Sequence, residues 1–124
     1  MKKKKVLIID DEVDIVKLLE IRLKADDYYV MPLYTSTRAL EVTKREKPDL
    51  VLLDVSMPDK DGYEVCKEIK ADSETRDIPI IVYTAQQTEK DHIRDLHKAA
   101  GADDYIMKPF DEDKLLAKIN ALTK

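Results

Sequence analysis

The feature that most constrains this chain is an alternation repeated five times. Short β-type runs, most of them apolar, are separated by segments of helical length and helical spacing. The runs are Val6-Leu7-Ile8-Ile9, Tyr28 to Met31, Leu50-Val51-Leu52-Leu53, Pro79-Ile80-Ile81-Val82-Tyr83 and Asp103 to Met107. The third, with four consecutive apolar residues, reads as a strand buried on both faces, the kind found inside a parallel sheet. Between the runs, apolar residues recur at helical intervals: Val16, Leu19 and Leu23, then Val65, Cys66 and Ile69, then Leu115, Leu116, Ile119 and Leu122. Strand alternating with helix predicts parallel strands, right-handed crossovers and helices on both faces of one sheet.

Local signals place the boundaries. Helices are expected over Glu12–Lys24, from Thr35-Ser36-Thr37 to about Glu46 (with Ala39, Leu40 and Val42 inward), over Tyr63–Ala71, over Gln87–Ala100, and from Asp111 to about Leu122. Asp11 serves as N-cap of the first, Thr35, Ser36 or Thr37 of the second, and Asp111 of the last. Pro32 is expected to stop the second strand, and Pro58 to prevent pairing beyond the third. Asp59-Lys60-Asp61-Gly62 reads as a turn. Gly101 closes the fourth helix, because glycine tolerates the left-handed conformation wanted there.

With 124 residues and no linker or low-complexity tract, the chain reads as one domain, residues 1–124. A charged fraction of 39% and a net charge of −4 leave no positive excess to displace counterions from phosphates, which argues against nucleic-acid binding by this chain itself. The single cysteine, Cys66, excludes an internal disulfide and fits a reducing, cytoplasmic compartment. No apolar run approaches the roughly 20 residues of a membrane helix. Lys2 to Lys5 precede an apolar run too short for a signal peptide and read as a solvated terminus.

Four strands end in chemically capable side chains: Asp10 and Asp11, then Asp54, then Thr84, then Lys108. Parallel strands share a direction, so all of these gather at one edge of the sheet, where open α/β folds bind ligands. Clustered carboxylates repel one another unless a cation shares the site. Hard oxygen donors without histidine or cysteine suit Mg²⁺ and not zinc. Asp10, Asp11 and Asp54 offer side-chain ligands, and the Ser56 carbonyl a backbone one. With a metal in place, one carboxylate can attack a phosphoryl group and form an acyl phosphate. Lys108 would neutralise charge and Thr84 donate a hydrogen bond to a phosphoryl oxygen. Each residue also has a plainer reading: helix capping for Asp10 and Asp11, loop capping for Asp54, a surface lysine for Lys108, a half-buried strand aromatic for Tyr105. His92 and His97, among charged residues, read as solvent-facing, Cys66 as a small core residue, and the remaining tyrosines as ordinary strand and helix-end residues.

Asp10-Asp11, Asp54 with Met57-Pro58, Gly62, Thr84-Ala85, Gly101-Ala102 and Lys108-Pro109-Phe110 occur in an order that resembles a response-regulator receiver domain, over essentially the whole chain. The resemblance implies a flavodoxin-like (βα)5 fold, a doubly wound parallel five-stranded sheet of order 2-1-3-4-5. It implies Asp54 as phosphoacceptor, Asp10 and Asp11 as the acidic pair holding Mg²⁺ (Mn²⁺ as a substitute), and the Ser56 carbonyl as a further ligand. Thr84 would be the switch hydroxyl, Tyr105 the switch aromatic, Lys108 the lysine that contacts the phosphoryl group, and the Lys108–Pro109 bond cis. The implied partners are a sensor histidine kinase or histidine phosphotransfer protein, and a downstream target or output domain on the face of helix 4, strand 5 and helix 5. Such a chain catalyses its own phosphorylation and dephosphorylation without being a turnover enzyme. Glycines common in the family near the second strand and second helix are replaced here by Asp26-Asp27 and Thr35-Ser36-Thr37, which touches loop shape and not chemistry. Ser56 and Gln86 fall where members vary, and would tune the lifetime of the phosphoryl group.

Two other classes compete. A receiver-like binding module that never cycles usually lacks the acceptor, the acidic pair or the lysine, all present here. A haloacid-dehalogenase-type phosphatase carries a second aspartate two residues after its nucleophile, and that place holds Ser56.

Overall fold

In the computed structural model, residues 3–84, 97–108 and 111–124 are described, Thr84 by its backbone alone. Five strands, β1 (Lys5–Ile9), β2 (Tyr29–Leu33), β3 (Leu50–Asp54), β4 (Ile80–Thr84) and β5 (Asp104–Met107), pair in parallel in the order 2-1-3-4-5. Helices α1 (Val13–Ala25), α2 (Ala39–Glu46), α3 (Gly62–Ala71) and α5 (Glu112–Leu122) connect or follow them, and residues 97–100 are the described end of α4. The parallel pairing is the one expected of the alternation, and the strand order is the flavodoxin-like one that the family resemblance implies.

Side chains along a strand alternate between faces, so one sheet feeds two cores. Val6, Ile8, Leu50, Leu52, Ile81 and Tyr83 pack on one side with Val16, Leu19 and Leu23 of α1 and Leu115, Leu116 and Ile119 of α5. Leu7, Ile9, Val51, Leu53, Ile80 and Val82 pack on the other with Val42 of α2, Val65, Cys66 and Ile69 of α3, and Ala100. Every residue of β3 is buried, as a central strand covered on both faces requires. Burial pushes the Cys66 thiol up to about 12, so it behaves as a small apolar core residue.

Several boundaries differ from expectation. Pro32 does not stop β2; it sits inside the strand opposite Ile8. β2 is an edge strand, where a missing N–H costs nothing when it faces outward. Asp11 does not cap α1. The helix starts one residue later, with Glu12 at the N-cap and no side-chain cap bond. Nor do Thr35, Ser36 or Thr37 cap α2, whose N-cap is Arg38. Asp61 and Asp111 do cap α3 and α5, accepting from Tyr63 N, and from Asp113 N and Lys114 N. Gly101 has φ +85° and donates its N–H to Lys98 O at 3.0 Å, the left-handed close expected of it. Residues 87–96 of the expected fourth helix, with His92, lie outside the described residues.

Candidate functional site

The C-terminal ends of β1 and β3 are neighbours because the strands pair in register, Ile9 opposite Leu53. The next residues, Asp10 and Asp54, therefore emerge side by side, 0% and 2% exposed. Lys108, just past β5, reaches back over β4 to both. Its Nζ lies 3.4 Å from Asp10 Oδ2, 3.3 Å from Asp54 Oδ2 and 3.0 Å from Glu12 Oε1. The lysine side chain is 8% exposed, so its contacts with buried Asp10 and Asp54 lie in a medium where charge is poorly screened, while Glu12 meets it from the solvent side. The carboxylates raise the Lys108 pKa against the opposing effect of burial, and it stays an ammonium.

Asp54 is pushed up to about 6, chiefly by burial, with Asp10 adding to the rise and the Ser56 N–H and Lys108 opposing it. Its Oδ1 accepts from Ser56 N at 2.8 Å. Asp10 is held at both oxygens: Oδ1 accepts from Glu12 N at 2.9 Å, and Oδ2 from the hydroxyl of Tyr83. Carboxylate oxygens of Asp10, Glu12 and Asp54 lie within 4.8 Å of one another. Among the described residues three carboxyl groups gather around one ammonium, and the donors they offer are all oxygen. That set fits a hard divalent cation such as Mg²⁺.

Of the residues expected at this edge, Asp10, Asp54 and Lys108 come together. Asp11 is exposed and outside the carboxylate group, whose third member is Glu12. Ser56 contributes its N–H to Asp54, and Tyr105 lies half-buried on β5. The hydroxyl of Thr84, together with Gln86 and Pro109, lies outside the described residues. His97 is not solvent-facing. It is 8% exposed, with its ring 4.3 Å from that of Tyr105.

Three participants escaped the sequence reading. Glu12 carried a signal, as the third acid of Asp10-Asp11-Glu12, but its turn toward the crevice depends on where α1 begins. Tyr83 looked like an ordinary strand aromatic; its one cue was a hydroxyl at the last fully apolar position of β4. Asp59, in the loop after the acceptor, accepts from Ser36 Oγ at 2.7 Å, Ser36 N at 2.9 Å, Thr37 N at 3.1 Å and the Thr35 hydroxyl. Those bonds, with Thr35 first, hold the Asp59 carboxyl well below the usual range. Asp59 thus ties the β3–α3 loop to the β2–α2 loop and accepts from two backbone N–H groups just ahead of α2. Asp59→Ala is expected to cost about 1–2 kcal/mol, as loss of hydrogen bonds to a charged acceptor does. Thermal unfolding should fall by about 4–8 °C. Because the native carboxyl has the depressed pKa, its contribution holds above the ordinary carboxylate value and fades as pH falls below it. The gap between wild type and variant should therefore narrow in acid.

The family model described as response regulator receiver domain matches residues 6–120. Among curated proteins, the probable transcriptional regulator ycf27 of Guillardia theta is 46% identical over 98% of this chain and 46% of its own length. The ycf27 protein of Porphyridium aerugineum is 44% identical over 100% of this chain and 50% of its own. The chain thus spans about half the length of these relatives. Among solved structures, a putative response regulator from Chloroflexus aurantiacus superposes with TM-score 0.89 at 31% identity, covering 98% of both chains. The BeF3-activated N-terminal receiver domain of Klebsiella pneumoniae RstA gives 0.86 at 33%, covering 98% of this chain and 99% of that one. The chemotaxis response regulator CheY4 of Vibrio cholerae gives 0.88 at 26%, with the same coverage.

Proposed function

This chain belongs to the response-regulator receiver family, and from that premise we propose that it is a signalling switch operated by phosphorylation of Asp54. The observation that carries the reading is the Lys108 ammonium lodged between two buried carboxylates, Asp10 and Asp54, at the C-terminal edge of the sheet. The donor is a histidine kinase or histidine phosphotransfer protein. A carboxylate oxygen of Asp54 bonds to phosphorus as the bond from phosphorus to the donor nitrogen breaks, and the electron pair leaves with the imidazole. Lys108, already positioned, balances the charge that accumulates on the phosphoryl oxygens. Asp10, Glu12 and Asp54 would hold the metal, with Asp11 and the Ser56 carbonyl as ligands by family likeness. When bound, Mg²⁺ (or Mn²⁺) neutralises the carboxylates and the incoming phosphoryl group.

The new charge acts locally. Thr84 and Tyr105 respond as the switch pair, and the face of helix 4, strand 5 and helix 5 carries the change to a downstream target or output domain. The chain modifies itself, turns over no external substrate, binds no nucleic acid directly, and works in the cytoplasm. Among the described residues no helix is long and apolar enough to cross a membrane.

Acetyl phosphate with Mg²⁺ should add one phosphoryl mass to the intact protein. Hydroxylamine, which cleaves acyl phosphates, should remove it, and chelation by EDTA should prevent its appearance. An unmodified mass after prolonged incubation, with the protein folded and Mg²⁺ saturating, would overturn the reading.

A further inference from the structure

We propose that Tyr83 is a positioning residue for the metal and phosphoryl chemistry of this site: its hydroxyl orients Asp10, and its ring seats Lys108. The inference rests on the reading above and adds a residue to it.

Tyr83 is 1% exposed and belongs to the core between the sheet, α1 and α5. From there its hydroxyl donates to Asp10 Oδ2, the same oxygen that faces Lys108 Nζ. Asp10 Oδ1 is already engaged by Glu12 N. The carboxylate is therefore gripped at both ends, and its plane cannot turn without breaking a bond. A fully buried carboxylate without such donors would be strongly disfavoured.

The ring does a second job. Lys108 Nζ stands 4.7 Å from its centroid, within cation–π range. A lysine side chain is a long, freely rotating stem. Three carboxylates attract this one from several directions, so attraction alone does not choose its place. The ring face supplies a floor that does. One side chain thus sets two charged partners relative to each other, one from each end of the strand order β1-β3-β4-β5.

Removing hydrogen bonds that orient ligating groups typically weakens metal binding about 10–100-fold. Two variants separate the roles. Tyr83→Phe keeps the ring and loses the hydroxyl. Its Mg²⁺ dissociation constant, read from amide chemical shifts near Asp10 and Asp54 during titration, should rise about tenfold. The half-saturating Mg²⁺ for uptake from acetyl phosphate should rise in parallel, while the rate at saturating Mg²⁺ stays within twofold of wild type. Tyr83→Leu loses the ring as well, and its rate should stay depressed however much Mg²⁺ is added. In metal-free protein, the ε-methylene protons of Lys108 should show an upfield ring-current shift in wild type and Tyr83→Phe that vanishes in Tyr83→Leu. A merely structural tyrosine would lower the melting temperature of both variants without this split. A folded Tyr83→Phe with unchanged or tighter Mg²⁺ affinity, or no ring-current shift in wild type, sinks the inference and leaves the switch reading standing. A wild type that binds no Mg²⁺ sinks both.

Discussion

Asp54→Asn is expected to abolish phosphoryl uptake and, in the absence of metal, to make the protein more stable. The first effect follows from losing the nucleophilic oxygen. The second follows from the pKa. Asp54 titrates at about 6 in the fold against an ordinary 3.8, mainly because burial disfavours its charged form. A carboxyl whose native pKa is raised binds its proton more readily folded than unfolded. Stability from this group therefore falls as pH climbs from the ordinary value through 6, and the deficit is complete above that. The difference corresponds to about 3 kcal/mol at neutral pH. That figure already includes the attraction of Lys108, so an asparagine, which escapes the penalty, is expected to gain about 2–3 kcal/mol. Chemical denaturation without Mg²⁺ should show the variant ahead at pH 7.5 and the two converging toward pH 4. Adding Mg²⁺ should stabilise wild type by mass action and the variant much less. Equal stability at both pH values would mean that Asp54 carries no burial strain.

Gly62→Ala is expected to be the most damaging single methyl addition near the site. A Cβ at this position would stand 2.3 Å from Val55 Cα and 2.8 Å from Asp54 O, both backbone atoms that cannot rotate away. The glycine is therefore needed for close approach. The start of α3 lies directly on the segment that follows the acceptor. Relief requires moving α3 or that segment, at a cost of about 3 kcal/mol or more, offset by about 1 kcal/mol from alanine's better helix propensity. A drop of roughly 8–12 °C in melting temperature is expected. Uptake from acetyl phosphate should fall more than tenfold, because the Ser56 N–H that engages Asp54 shifts with the segment. A variant with wild-type melting temperature and rate would show that the two backbones part freely.

Much of the architecture was legible before any coordinates. The continuous run Leu50 to Leu53 called for a doubly covered central strand, and β3 is one. Asp111 and Gly101 acted as the cap and the left-handed close that their side chains allow. Pro32 misled because its effect depends on whether a strand lies at an edge, and edge status is a property of the sheet. The threonines and serine at 35–37 misled because a competing acceptor, Asp59, lies more than twenty residues away. His97, in a charged neighbourhood of sequence, is buried, with its ring against that of Tyr105 on β5.

Periodicity and strand-end chemistry alone pointed to the parallel sheet and to one edge shared by Asp10, Asp54 and Lys108, since parallel strands present their ends on the same side. Only the tertiary structure showed that the Glu12 carboxylate lies with those of Asp10 and Asp54, because Glu12 is the extended N-cap residue of α1 and its Oε1 meets Lys108 Nζ at 3.0 Å. It alone decided that Tyr83 reaches Asp10, 73 positions away in the chain. Contacts of that kind are chosen by how three strands lie beside one another, and no local pattern of residues encodes them.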